Sequence, residues 1–295
     1  MARFDLSFPE TVEEACQALA QDGSDGRIVA GGVALMILVK HGLYRPRRLI
    51  SLKRIRGLAG VQETEGGGVR LGAMATHHEV ELSPVVHRRA PVLAEATAHV
   101  ANLRIRNMGT LVGDLCHADN HSDPAPVLLV LDARARAVSA RGSREVPFAQ
   151  FFVDTYQTVL AEDELLTEVF IPPAPPRLAG CYVRFSGHSS IDWPTLGAAC
   201  MLRLGEDARV QEARLALGSV TAVPQRLPEI EAMLVGQALT ADLMTEAGRR
   251  AARLVDPPAD ARGSTWYKKR MVEVFVRRAL EETLRRARAN GVQIP

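Results

Sequence analysis

Four prolines within six residues, Pro172 to Arg177, cut this chain into two stretches of different texture. Neither a helix nor a central strand runs through such a segment, because each proline lacks an N–H and fixes φ near −65°. The apolar run Leu165–Ile171 is therefore predicted as a strand that stops there. Beyond the prolines, Cys181–Phe185, Thr195–Leu204 and Val210–Leu217 read as three consecutive strands, with helices at about 228–235, 240–255 and 265–289. Strands followed by helices within one domain predict a sheet backed by helices. At 295 residues the chain has room for two domains of ordinary size.

Composition narrows the function classes. Hydrophobic residues at 47% and charged residues at 24% exclude a disordered chain, a collagen-like repeat and a coiled coil. Thirty-six basic against 34 acidic residues leave a formal charge of +2, too balanced for wholesale nucleic-acid binding. The cysteines (Cys16, Cys116, Cys181 and Cys200) include no pair at CxxC spacing. That argues against a zinc ribbon, a disulfide framework and an iron–sulfur cluster held wholly by this chain. Residues 1–10 carry charges of both signs and no apolar run, so no signal peptide is expected. The least polar stretch, Gly31–Val39, is about half the ~20 residues that span a bilayer. A soluble, cytoplasmic protein is the expectation.

The first stretch alternates helical and strand patterns. Thr11 and Glu14 have capping-box spacing ahead of Val12, Cys16 and Leu19 on one helical face. A strand at Arg27–Ala30 breaks at Gly31–Gly32 and is followed directly by an apolar helix, Ala34–Lys40. Leu49–Leu52 reads as a strand, and Val61–Gln62 with Val69–Leu71 as a hairpin around Gly66–Gly68. Residues 84–101 have a helical pattern with Pro91 near the first turn. Arg106–Asp123 reads as irregular, before a helix at Pro124–Leu131 and a hairpin of Ala135–Ala140 with Glu145–Pro147.

Two constellations carry chemistry. In Ile28–Leu35 a strand passes through two glycines into a helix, so backbone N–H groups are free to approach a phosphate. Taken alone it is more plainly a tight strand-to-helix turn. It is not GxGxxG, and Lys40 lacks the Ser/Thr neighbour of a P-loop. The second constellation is the irregular segment, where His117, Asp119, His121 and Asp123 alternate and would share one face of an extended strand. A zinc or dinuclear hydrolase would need more ligands, and His188 is the only histidine further along. Capping and turn roles are the plainer account.

Other features have ordinary explanations. His77–His78 reads as the start of a short helix with no metal role, and Trp193 is expected to pack at the domain seam. Residues 262–290 carry nine Lys/Arg against Glu273, Glu281 and Glu282, with Val272, Phe275, Val276, Ala279, Leu280 and Leu284 as one apolar stripe. A surface helix with solvated arginines explains this more simply than a docking face for an acidic partner. G-x-S-x-G is absent, and no catalytic acid, base or nucleophile stands out.

Together the two constellations resemble the FAD-binding medium subunit of the molybdenum hydroxylases, the family of xanthine and carbon-monoxide dehydrogenases. Ala30–Leu35 matches its A-G-G-x-[SDN]-L motif. Ile105–Asp114 matches I-R-N-x-[AG]-[ST]-[IL]-G-G-[ND], and His117–Asp123 matches H-A-D-P-x-[SA]-D. Leu71–Thr76, Glu164–Leu166, Ser190–Pro194 and Asp260 with Ser264 and Tyr267 match supporting signatures in the same order. The sequence departs from the pattern in three places: Val33 and Ala34 replace a polar pair, Val112 replaces the first glycine of the second motif, and Arg184 stands where some relatives have lysine and His188 where they often have arginine.

The resemblance implies an α+β fold. A PCMH/vanillyl-alcohol-oxidase-type FAD-binding domain would span 1–175, with subdomains of about 1–55 and 56–175. A CO-dehydrogenase-flavoprotein-like domain with a three-stranded sheet and helices would span 178–295. It implies FAD contacts from Val29, Ala30, Gly31, Gly32, Val33, Ala34 and Leu35 at the pyrophosphate, and from Thr76, Gly109, Thr110, Gly113, Asp114 and His117 along the cofactor. Ser122 and Asp123 would lie near the adenine end, and Leu165, Leu166 and Arg184 near the isoalloxazine. Arg184 would there stabilise the anionic reduced flavin.

In that picture this chain relays electrons and does no chemistry on carbon. A large partner carries the molybdopterin cofactor, and a small one carries two [2Fe–2S] clusters, in a dimer of heterotrimers. A flavin-less assembly subunit of the same complex, motivated by Val33, Ala34 and Val112, and a metallohydrolase using His117, Asp119, His121 and Asp123 stay open as alternatives.

Overall fold

The computed structural model describes residues 3–187, 189 and 191–289, so His188 and Ser190 lie outside the described residues. The chain forms two compact units, one of Met1–Asp119 with Asp132–Pro173, the other of Asn120–Leu131 with Ala174–Pro295. The second unit thus takes in a short segment from the middle of the first stretch of sequence.

The first unit begins with β1 (Asp5–Ser7), α1 (Val12–Asp22), β2 (Gly26–Val29), α2 (Val33–Lys40) and β3 (Arg48–Ser51). These strands form a parallel sheet in the order β1-β3-β2. Thr11 caps α1 by accepting the Glu14 N–H at 3.1 Å, and the Glu14 carboxylate takes the Glu10 N–H at 2.7 Å. Ala15, Cys16 and Leu19 bury the inner face of that helix.

A second run follows: β4 (Val61–Glu63), β5 (Val69–Gly72), α3 (His77–Leu82), α4 (Pro84–Arg89), α5 (Pro91–Ala98), α6 (Leu103–Met108) and α7 (Leu111–His117). The helical pattern of 84–101 divides at Ala90, whose φ of −145° and ψ of 55° leave the helical region ahead of Pro91. The segment expected to be irregular, Arg106–Asp123, instead holds the end of α6 and all of α7. Asn102 caps α6 by accepting the N–H groups of Arg104 and Ile105, and Thr110 caps α7 by accepting that of Gly113. Helices of six and seven residues are too short for a periodic signal, and Gly109 and Gly113 blur what there is.

After α8 (Pro124–Val130), which lies in the second unit, the first unit resumes with β6 (Arg134–Ser139), β7 (Gly142–Pro147), β8 (Phe152–Asp154), β9 (Gln157–Thr158) and β10 (Leu165–Ile171). Its larger sheet is antiparallel in the order β4-β5-β10-β6-β7, with a register shift between Leu166 and Glu168.

The second unit contains β11 (Leu178–Phe185), β12 (Leu196–Leu204), β13 (Val210–Gly218), β14 (Gln225–Arg226), α9 (Pro228–Leu234), α10 (Ala241–Leu254) and α11 (Thr265–Ala289). Three long antiparallel strands are joined by the two-residue β14 in the order β11-β12-β13-β14. The sheet buries Cys181, Leu196, Cys200, Leu202, Leu215 and Leu217 against Val272, Val276, Ala279 and Leu280 of α11. Cys181 and Cys200 are register partners across β11 and β12, and neither is in a disulfide. Among the described residues no helix is long and apolar enough to cross a membrane.

The basic face of α11 is largely satisfied within its own unit. Arg270 meets Glu273 at 2.7 Å, Arg277 meets Glu281 at 2.6 Å, and Arg286 meets both Glu282 at 2.7 Å and the Gly180 carbonyl at 2.9 Å. Buried Lys268 spans Asp260 and the Pro258 carbonyl, each at 2.8 Å. This is the pattern of a surface helix rather than an open cationic face. Trp193, expected to be packed, is 58% exposed with the Arg262 guanidinium over its ring at 5.8 Å.

Candidate functional site

β2 ends at Val29, and the chain turns through Ala30, Gly31 and Gly32 into α2. Gly32 caps that helix with φ of 73°, a left-handed conformation that suits glycine, and offers no side chain to the helix start. The first helical hydrogen bond is Met36 N–H to Gly32 O at 2.9 Å. The N–H groups ahead of it, on Val33, Ala34 and Leu35, therefore have no intrahelical acceptor. The first turn holds no acidic residue, and Gly31 through Leu35 are only half-buried.

The second glycine turn meets the first. A Cβ built on Gly31 would overlap the Met108 carbonyl oxygen and lie 2.9 Å from Gly109 Cα. One built on Gly109 would stand 3.4 Å from His77 Cδ2 and 3.8 Å from Val33 Cγ2. A third segment locks the junction: His77 N–H donates to Gly109 O at 2.9 Å, Leu111 N–H donates to Ala75 O at 3.0 Å, and Thr76 bridges Thr110. Thr76 in turn caps α3 in a full capping box with Glu79. Residues 30–33, 75–77 and 109–113, far apart in sequence, thus form one cluster within the first unit.

The two turns end differently. Thr110 is 3% exposed, and its Oγ1 accepts the Gly113 N–H at 3.1 Å, so α7 supplies its own cap, whereas α2 has none. Val112 is a helical residue of α7 at 2% exposure, facing the core, so its side chain does not obstruct the junction. Asp114 and His117 are half-buried on the same helix.

His117 closes α7, and Ala118 follows in the left-handed region at φ of 53°. The strand on which His117, Asp119, His121 and Asp123 would share a face is therefore not formed. The His117 ring lies 5.0 Å from that of Tyr156, and Asp119 hydrogen-bonds Tyr156. Among the described residues no three His, Cys, Asp or Glu side chains group closely enough to hold a metal ion.

Leu165 and Leu166, expected beside the isoalloxazine, are 3% and 2% exposed in β10. Their side chains are already covered by protein, so contact with a ligand would fall to their backbone. Ser122 is also buried, at 7%.

In the second unit Asp123 and Arg184, expected toward opposite ends of the cofactor, are bonded to each other. Arg184 Nε donates to Asp123 Oδ1 at 3.0 Å, and the Tyr182 hydroxyl donates to the same oxygen at 2.6 Å. Arg184 Nη2 also reaches the Asp192 carbonyl. The Asp123 and Arg184 side chains are 5% and 6% exposed, and burial and then the Asp123 charge push the Tyr182 phenol well above its usual range. Tyr182 was missed in the sequence. The available signal was its spacing from Arg184: residues two apart on a strand point the same way.

Residues 2–174 match the family described as the FAD binding domain in molybdopterin dehydrogenase, and 182–283 the CO dehydrogenase flavoprotein C-terminal domain. The chain belongs to this flavoprotein family. The carbon monoxide dehydrogenase medium chain of Hydrogenophaga pseudoflava is 34% identical over 94% of this chain and 96% of the relative. Subunit alpha of the 6-hydroxypseudooxynicotine dehydrogenase complex of Paenarthrobacter nicotinovorans is 32% identical over 97% and 96%.

Solved structures agree. The carbon monoxide dehydrogenase of H. pseudoflava superposes with a TM-score of 0.93 at 34% identity, covering 96% of this chain and 98% of that one. Quinoline 2-oxidoreductase from Pseudomonas putida 86 gives 0.91 at 29%, covering 97% and 98%. As a member of the molybdopterin-dehydrogenase flavoproteins, the protein is an FAD-binding oxidoreductase subunit of the molybdenum hydroxylase type, and its α+β fold is the one the motifs implied.

Proposed function

We propose that this chain holds one FAD at the junction of its two glycine turns and relays electrons through it. They would arrive from [2Fe–2S] clusters on a small partner and leave for an external acceptor, while a large partner carries the molybdenum cofactor and the substrate chemistry. A dimer of such heterotrimers in the cytoplasm completes the proposal. The observation that carries it is the convergence itself: an uncapped helix start with free N–H donors, set against a second turn too close for any side chain at Gly31.

The residues present fit the cofactor. Backbone N–H groups of Val33, Ala34 and Leu35 would donate to its diphosphate, so the loss of a polar side-chain pair at 33 and 34 leaves the main donors in place. Gly109, Thr110 and Gly113 would line the other side, with Val29, Ala30 and Thr76 supporting the turns and Asp114 and His117 further along α7. Ser122, Asp123, Leu165, Leu166 and Arg184 are assigned on the family pattern. When bound, FAD supplies reversible two-electron chemistry, and the protein's share is to bind and orient it.

The flavin-less assembly reading rests on Val33, Ala34 and Val112, and of these Val112 is buried at 2% exposure within α7. Acid denaturation of the purified complex tests the proposal: close to one FAD per copy of this chain is expected, and a preparation that releases none establishes the assembly subunit instead.

A further inference from the structure

From Gly26 to Gln62 the sequence holds eight Lys/Arg residues and no Asp or Glu. Two of the eight are answered within the first unit: Arg48 meets Asp22 at 3.2 Å, and the Arg54 guanidinium lies over the Phe8 ring at 4.9 Å. The other six, Arg27, Lys40, Arg45, Arg47, Lys53 and Arg56, are exposed, and none has a side-chain hydrogen bond or ion pair among the described residues. Asp25 stands just ahead of the run, and its carbonyl takes the Arg47 N–H at 2.9 Å, but the two side chains do not pair. Elsewhere in the unit basic side chains find acids, as Arg70 finds Glu168 and Arg144 finds Glu164, each at 2.7 Å. Unanswered like charges on one surface build a positive field that draws in an anionic partner.

The fold sets this face beside the glycine junction. Val29 and Ser51 are register partners at the carboxyl ends of the parallel strands β2 and β3. The single turn Leu52–Arg54 therefore leaves the sheet at the same end as Ala30–Gly32. Met74 N–H donates to Leu58 O at 2.7 Å, which ties the chain just after Arg56 to residues 75–77 of the junction. Lys53 and Arg56 thus flank the proposed flavin site. Lys40, Arg45 and Arg47 lie past the far end of α2, whose eight residues rise about 12 Å. Two apolar side chains stand among them: Ile37, one turn before Lys40, is 53% exposed, and Leu43 is 76% exposed.

A face of this length is matched to a protein surface rather than to one small anion. A permanent subunit interface is apolar at its centre and poor in charge, whereas a short-lived redox encounter is small, polar and steered by opposite charges. Six unanswered cations with two exposed apolar side chains fit the second kind. We infer that this face docks the external electron acceptor, and that the acceptor is an acidic redox protein. The inference rests on the FAD reading above and names the class of acceptor for that same site.

The test uses the purified complex, reduced with dithionite under argon and mixed in a stopped-flow cell with an oxidised acidic b-type cytochrome as the probe. Two cytochromes take one electron each per flavin, and the flavin's protons pass to solvent. The second-order rate of haem reduction should fall by about tenfold or more between about 20 and about 300 mM salt, while a basic c-type cytochrome gains speed or stays level. Combining Lys40→Glu, Arg45→Glu, Arg47→Glu, Lys53→Glu and Arg56→Glu should slow the acidic cytochrome by a similar factor at low salt. Flavin content and reoxidation by uncharged benzoquinone should stay as they are. Should that variant not fold, Arg45→Gln with Arg47→Gln and the salt profile of the unaltered complex decide. A rate indifferent to salt, or an undiminished rate in a folded variant, overturns the inference. Loss of a partner subunit from the folded variant overturns it in favour of a permanent interface. Binding to phosphatidylserine vesicles at about 150 mM salt, with no salt effect on the cytochrome rate, overturns it in favour of a membrane face. A complex that carries no flavin overturns the FAD reading instead.

Discussion

The glycine junction of the first unit and the Asp123 cluster of the second are both polar constructions, one half-buried at Gly31 to Leu35 and the other buried, and they differ in what is left over. In the cluster one carboxylate oxygen takes the Tyr182 hydroxyl at 2.6 Å and Arg184 Nε at 3.0 Å, and Arg184 also reaches a backbone carbonyl. Charge and hydrogen-bonding capacity are met within the unit. At the junction α2 starts without a cap, and the His77 Nδ1 has no partner. A satisfied buried network holds a fold in one arrangement, whereas surplus donors at a helix start call for an anion. Changes in the cluster should therefore move stability together with whatever flavin contact Asp123 and Arg184 make, whereas changes at the junction should move flavin occupancy above all.

The largest effect is expected at Asp123. Asp123→Ala takes the carboxylate away from the buried Arg184 guanidinium and the Tyr182 hydroxyl, which should lower unfolding stability by about 3–5 kcal/mol in denaturant titration. A shift under about 1 kcal/mol would mean the pair is not held as described. Tyr182→Phe removes one hydrogen bond from the same oxygen and should cost about 1–1.5 kcal/mol with FAD content unchanged. Flavin loss from Tyr182→Phe at unaltered stability would break the contrast.

At the junction, Thr76→Ala removes the cap of α3 beside Gly109 and should cost about 1 kcal/mol together with a measurable loss of flavin. The smallest effect is a gain. Ala34→Ser places a hydroxyl at the start of α2 and should tighten FAD binding a few-fold, read by fluorescence titration, with thermal stability little changed.

These contrasts also explain what was legible in the sequence. Gly31 and Gly32 between a β-branched run and an apolar helix announce a turn locally, and the strand Leu165–Ile171 is bounded by its own prolines, so both emerged from neighbours along the chain. The helices α6 and α7 did not, because each is held by one capping residue and by contacts to residues 75–77 rather than by periodicity. The Asp123–Tyr182–Arg184 cluster joins residues about sixty apart, and the pairing of Cys181 with Cys200 follows only from the β11–β12 register. His77 looked like an ordinary helix start. Its place at the junction depends on Gly109, which no spacing rule connects to it.

Everything said of function depends on the two turns being one binding site, and Gly31 is where they touch. The direct measurement is the ratio of FAD to chain in purified Gly31→Ala, with circular dichroism confirming a folded protein. A Cβ at that position must displace the Met108 carbonyl, so the account predicts a folded chain with most of its flavin gone while the unaltered protein carries close to one. A folded Gly31→Ala protein with full flavin content would contradict it.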